Sequence, residues 1–296
     1  MAVVEAQVEA AEVEQSGTQS TLKRLFKIKG VVIGTVLVAF LAAGAIFAPW
    51  IAPYDPIAIS SNEQLVPPSA KHILGTDQLG RDVLSRLLFG SRLSLIVGFV
   101  SVAIGGGAGV VLGLISGFAG GWVDAVISGL VDIMLAFPGL LLALVIIIWL
   151  GPGLMNVMVA VGIGNTPRWA RLVRSTVLSI KETDFVTAAK AAGATDARIM
   201  FRHILGNVLA PIIVFTTLGV GGSILSAASL GYLGLGAQPP TPEWGLMLSE
   251  SRAFIRVCWW AATFPGLAIM ASVLSVNLIG DGLRDTLDPR LRGKLS

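Results

Sequence analysis

TDFVTAAKAAGATDARIMFRHILGNVLAP, residues 183–211, is the stretch on which the reading of this chain turns. Long apolar runs surround it, yet it carries Asp184, Lys190, Asp196, Arg198 and Arg202 among its alanines. Charges at that density are costly in hydrocarbon, and the regular alanine-rich spacing marks helix rather than slack loop. The piece therefore belongs outside the bilayer, between two spans. Phe185, Ala188, Ala189 and Ala192 fall at i, i+3, i+4 and i+7, one narrow helical face. Gly193 is placed to end that helix with a left-handed backbone. Thr195 or Asp196 can cap the next, which bears Ile199, Met200, His203 and Ile204. Small alanines let another backbone approach closely, and Lys190, Arg198 and Arg202 set positive charge around the rim, a combination that suits docking in a groove on a soluble partner. An amphipathic linker lying on the membrane surface would have the same composition.

The surroundings fix the class. The chain is 54% hydrophobic and 13% charged, with mean hydropathy +0.80, the composition of a polytopic membrane protein. No charged residue lies between Lys29 and Asp55 or between Arg92 and Asp124, and each gap exceeds the roughly 20 residues a helix needs to cross hydrocarbon. An all-α fold with six transmembrane helices is predicted, at about 30–52, 93–120, 125–150, 154–173, 208–235 and 257–280. The fourth is short in apolar sequence and runs into Asn165, Pro167 and Arg168, so a re-entrant piece is the alternative there. With the N-terminus inside, fifteen of the 21 Lys and Arg residues fall on the cytoplasmic side and six outside. A five-span arrangement with the N-terminus outside scores the same. The cluster Lys23, Arg24, Lys27 and Lys29 against the first span decides for six spans and two cytoplasmic termini, since the first helix usually dominates orientation.

The parts predicted are a cytoplasmic tail at 1–29, a first span with an external segment at 30–92, a core bundle at 93–282 and a second tail at 283–296. The uncharged run after Lys29 is too long for a cleaved signal peptide, which makes it a retained anchor. The external segments 53–92 and 237–256 are too short to bury a core of their own. In the first, Val83, Leu84, Leu87 and Leu88 share one side of an interfacial helix. In the second, GAQPPTPEWG crowds prolines against Trp244 in an ordered loop. The single Cys258 excludes an intramolecular disulfide, and His72 and His203 stand apart with no ligand cluster around them.

Two features inside the spans invite a function. Gly105, Gly109, Gly113, Gly117 and Gly121 recur every four residues, a stripe suited to close helix packing, with a pore lining as the alternative. Asp132 is the one acid well inside the third apolar run, followed by Pro138 as a candidate kink. It either pairs with Arg168, Arg171 or Arg174 or lines a path. No GxxxxGK[ST], GxSxG or HExxH pattern occurs, so ATP hydrolysis, if transport uses it, belongs to another chain.

Together, APYDP (52–56), LGTDQLGRDVLSRLLFGSRLSL (74–95), VDIMLAFPGLLLAL (131–144), LGLGAQPPTPEWGLML (233–248) and NLIGDGLRDTLDPRLR (277–292) closely resemble the C-type permease subunits of bacterial dipeptide and oligopeptide (peptide/nickel) ABC importers. The likeness runs from about Lys23 to Arg292. Residues 183–211 resemble the coupling motif of such permeases, whose pattern is Glu-Ala-Ala, three residues, Gly, then Ile-x-Leu-Pro. Thr187 replaces the glutamate and Gly206 the proline, while Ala188, Ala189 and Gly193 keep the pattern.

The resemblance implies the type I ABC importer permease fold in the bacterial cytoplasmic membrane, with a coupling element at about 181–206 between helices 4 and 5. It implies a homologous second permease, two ABC ATPase subunits that use ATP and Mg, an extracytoplasmic substrate-binding protein, a peptide cargo and no nucleic acid. No cofactor is expected on this chain, which is not itself an enzyme. Phe185, Val186, Ala188, Ala189, Lys190, Ala192, Gly193, Arg198 and Arg202 are the residues it implies at the ATPase. Similar permeases carry nickel, glutathione or other small solutes. A secondary transporter or channel acting without ATP is the reading from another class, and it predicts broken helices or paired charges at mid-membrane.

Overall fold

The computed structural model describes residues 25–287; the expectations for the segments before Leu25 and after Leu287 lie outside the described residues. Among those described, the chain is helical with a single isolated β-bridge, Thr76 to Asp82. Helix α1, Lys29–Ile51, leads into an irregular segment, and α2 follows as Val83–Ala119. The interfacial helix expected before residue 93 and the span expected from residue 93 are thus one helix. Asp82 starts it by accepting a hydrogen bond from the Ser85 amide at 2.8 Å, a side-chain cap for an amide that burial shuts off from water.

Gly120 and Gly121, both at positive φ, turn the chain into α3, Gly121–Leu135. The fifth glycine of the stripe is therefore a turn residue: nothing lies within 4 Å of a Cβ added there. Next comes α4, Gly139–Leu150, bent by 94° from α3. The single helix predicted at 125–150 is thus two. Pro138 has no amide hydrogen to give to the ladder, and it stands as the N-cap of α4 instead of bending one helix.

Helix α5, Leu154–Lys181, is continuous through Pro167. After a two-residue break comes α6, Asp184–Ala191, and then α7, Asp196–Tyr232, with a π turn over Ile199–Ile204. The short α8, Trp244–Ser251, and the long α9, Trp259–Leu287, complete the order. Four helices (α1, α2, α7 and α9) are long and apolar enough to cross a membrane, and the bent α3–α4 pair makes a fifth if it counts as one span. Helix α5 is not among them. It carries Arg168, Arg171, Arg174 and Lys181, and it survives at the centre of the bundle because its apolar side, from Val157 through Trp169 to Val177, is buried against neighbouring helices.

Helices α2 and α5 form the tightest pair in the fold. A Cβ on Gly113 would lie 2.6 Å from the Ala170 carbonyl oxygen and one on Gly117 2.8 Å from the Val177 Cβ. Gly105 meets the Gly162 carbonyl in the same way, and Gly109 meets the Cβ of Trp169. Four glycines thus bring two backbones together where side chains would hold them apart. Trp169, held edge-on by Phe215 at 4.7 Å between ring centres, ties this pair to α7.

Candidate functional site

Residues 183–211 are built as a helix, a glycine corner and a second helix that continues into a long apolar one. The Ala194 amide donates to the Ala189 carbonyl at 3.1 Å and the Gly193 amide to the Lys190 carbonyl at 2.9 Å, the paired bonds that close a helix around a left-handed residue. Gly193 holds φ +81°, which an L side chain adopts only at a cost. Thr195 opens the next helix, its hydroxyl accepting from the Arg198 amide at 3.4 Å.

The element has two faces. Val186, Ile199, Ile204 and Val208 are fully buried and pack with Val173 and Val177 of α5 and Leu114 of α2. Burial is worth about 1.5–3 kcal/mol for each such side chain, so the element is seated on the helix ends beneath it. Its opposite face carries Phe185, 43% exposed, with Ala188, Lys190, Ala192, Gly193, Arg198 and Arg202 all exposed and Ala189 half-buried. This corrects one expected contact. Val186 points into the chain's own core and cannot present its side chain to another protein.

Beneath the element two ion pairs join α3 to α5. Arg174 grips Asp124 with two bonds of 2.6 Å, Nε to Oδ1 and Nη2 to Oδ2, and Asp124 also accepts from the Ser116 and Ser128 hydroxyls. About two turns along α3, Asp132 accepts a single bond from Arg171 Nη2. This pair is 64% and 60% exposed. Arg168, one turn away on the same side of α5, is also exposed and makes no ion pair among the described residues.

A third cluster, at the far end of the bundle, escaped the sequence reading. Arg81 donates to Asp77 at 2.6 Å and to Glu250 at 2.8 Å, and Arg86 donates to the same Glu250 oxygen at 2.9 Å. Both guanidinium groups are 1% exposed. The cluster clamps the segment before α2 onto α8. Around it, the indoles of Trp244 and Trp260 donate to the carbonyls of Leu87 and Thr76, each at 3.0 Å. Glu243 caps α8 through the amides of Gly245 and Leu246. Burial pushes its carboxyl up from the ordinary range, opposed by those two amides and by the Ser94 hydroxyl. Asp77, Arg81 and Arg86 recur through TDQLGRDVLSR at a spacing that a buried network could explain, but their partner Glu250 lies far away in sequence. No group of three or more His, Cys, Asp or Glu able to hold a metal occurs among the described residues.

A bundle of apolar helices with small-residue packing, interhelical ion pairs and a polar helical element seated at one end has the build of a multi-pass membrane protein. Residues 109–293 match the family described as binding-protein-dependent transport system inner membrane component, and residues 16–68 match the N-terminal TM domain of oligopeptide transport permease C. The chain belongs to the binding-protein-dependent transport permeases of the inner membrane, and within them to the C-type permeases of dipeptide and oligopeptide ABC importers.

It is 50% identical to a dipeptide transport system permease protein of Alkalihalophilus pseudofirmus over 93% of this chain and 90% of the relative. It is 49% identical to a di/tripeptide transport system permease protein of Pseudomonas aeruginosa over 89% of each. A glutathione transport system permease protein of Pectobacterium atrosepticum is 45% identical over 91% and 90%. Among solved structures, the inward-facing methionine ABC transporter MetNI aligns at TM-score 0.55 and 22% identity, over 68% of this chain and 96% of that one, which establishes a shared fold.

Proposed function

We propose that this chain and a homologous permease together form the membrane path of an ATP-driven importer for short peptides, delivered by an extracytoplasmic binding protein and driven by two ABC ATPase subunits that bind ATP and Mg. The identity of half of all aligned residues with a dipeptide permease across nearly the whole chain carries the cargo assignment. Glutathione is the second reading, since a glutathione permease is nearly as similar. In this proposal six spans cross the membrane: α1, α2, the bent α3–α4 pair, α5, α7 and α9. The tails at 1–29 and 283–296 are cytoplasmic, and the core bundle is 93–282.

The coupling element is the region of about 181–206. Its exposed face, Phe185, Ala188, Lys190, Ala192, Gly193, Arg198 and Arg202, meets an ATPase, while half-buried Ala189 lies at the edge. Support comes from the division of the element itself: four buried aliphatic residues make it rigid with α2 and α5, and its continuity with α7 lets a push at the surface move a long helix as a body. The packing of Gly105, Gly109, Gly113 and Gly117 holds the α2–α5 pair together as the unit that moves. Gentle extraction of the complex and identification of copurifying chains tests this assembly. Recovery of a second permease, ATPases and a binding protein is expected; recovery of this chain alone, in a detergent that preserves such complexes, overturns it.

A further inference from the structure

The two ion pairs between α3 and α5 differ in a way that packing does not require. Asp124 is saturated: both carboxylate oxygens accept from Arg174, and two hydroxyls add to them. Asp132 uses one oxygen and Arg171 one of its nitrogens, leaving the rest of an Arg fork open. Asp132, Arg171 and Arg174 line a groove of about 330 Å³ together with Gly113, Ser116, Ser128, Ala170 and Val131. Asp132 stands about 16 Å along α3 from Gly121. A charged pair left mostly open within a bilayer would face a wet path or another chain rather than lipid. Arg168, exposed but outside that lining, adds a positive charge one helical turn away along α5.

We propose that Asp132, Arg171 and Arg168 form a cargo contact for the charged ends of a zwitterionic peptide, Asp132 receiving the ammonium and the two arginines the carboxylate. The inference rests on the peptide-cargo reading above. An exposed acid beside two exposed bases matches a ligand carrying one charge of each sign. The open donors and acceptor give it bonds to make without dismantling the bundle, which the neighbouring Asp124–Arg174 pair holds. Bonds this few and this exposed also let the cargo leave, as a path requires.

The test uses the complete transporter in proteoliposomes, with binding protein saturated by a radiolabelled dipeptide. Asp132→Asn and Arg171→Gln are each expected to lower the maximal uptake rate about tenfold, with the apparent KM for loaded binding protein unchanged, because capture occurs elsewhere. The exchange Asp132→Arg with Arg171→Asp preserves a pair but reverses the charges presented to the groove, and uptake is expected to stay low. Recovery of the full rate in that exchange makes the pair a strut and overturns the proposal, as does normal uptake by both single variants or their failure to assemble with the other subunits. If the wild-type complex moves no dipeptide, the cargo reading itself fails and takes this assignment with it.

Discussion

The Cβ of Trp169 occupies the space that a side chain on Gly109 would need. The adjoining surface is backbone, the Thr166 carbonyl and the Ala170 amide, so nothing flexible is present to give way. Gly109→Val is therefore expected to force α2 from α5 and lower stability by about 3 kcal/mol, the upper end of what overpacking costs. Gly107→Val, with open space around it, is the matched control and should stay within about 0.5–1 kcal/mol. Thermal denaturation of the two purified variants in one detergent checks the contrast.

Phe185 and Val186 are adjacent in sequence and opposite in environment, 43% and 0% exposed. Phe185→Asp is expected to leave the detergent melting temperature nearly unchanged and to abolish copurification of the ATPase. Val186→Asp buries an uncompensated charge among Val173, Val177 and Ile204 and should cost about 3 kcal/mol or more, lowering the melting temperature of the chain itself. Equal effects of the two on stability would contradict the two-faced element.

At Gly193 the backbone requires φ +81°, while nothing within 4 Å blocks a side chain. Gly193→Asp therefore costs about 1–2 kcal/mol through the backbone and sets a negative charge on the exposed face between Lys190 and Arg198. Insertion into the membrane is expected to proceed, and ATP-driven uptake in vesicles to fall at least about tenfold. Normal uptake by an inserted variant would remove Gly193 from the coupling surface.

How much of this was legible in the sequence follows from the range of each interaction. The glycine corner at Gly193, the Thr195 cap and the inward side of the second helix are set by residues within five positions of one another, and local spacing reveals them. The break at Pro138 was foreseen as a kink, but a proline signals only the lost amide; the 94° between α3 and α4 depends on what each half packs against. The face of Val186 was misassigned because Phe185, Ala188 and Ala192 already formed a helical stripe, and apolar spacing does not say which side meets the chain's own core. Arg81 and Arg86 were passed over because their shared partner, Glu250, lies more than 160 residues away.

That shared partner makes this clamp sensitive to a single substitution. Glu250 accepts from Arg81 at 2.8 Å and from Arg86 at 2.9 Å through the same oxygen. Removing its charge leaves two guanidinium groups, each 1% exposed, to share Asp77, which lies 2.6 Å from Arg81 but 3.7 Å from Arg86. Breaking a buried pair from one side costs about 3–5 kcal/mol, because the survivor keeps its desolvation without its counter-charge. Glu250→Gln retains shape and hydrogen bonding and should fall near the lower figure; Glu250→Leu should reach the higher. Losing these pairs frees the segment from Ser60 to Asp82, which is otherwise held to α8 through this cluster. Limited proteolysis should therefore cut there in Glu250→Leu and spare the wild type, while the ATPase still copurifies, since the proposed coupling face at residues 183–211 lies at the other end of the bundle. Loss of the ATPase together with cleavage would mean that the two ends fold as one cooperative unit and that the clamp supports more than the outer segment.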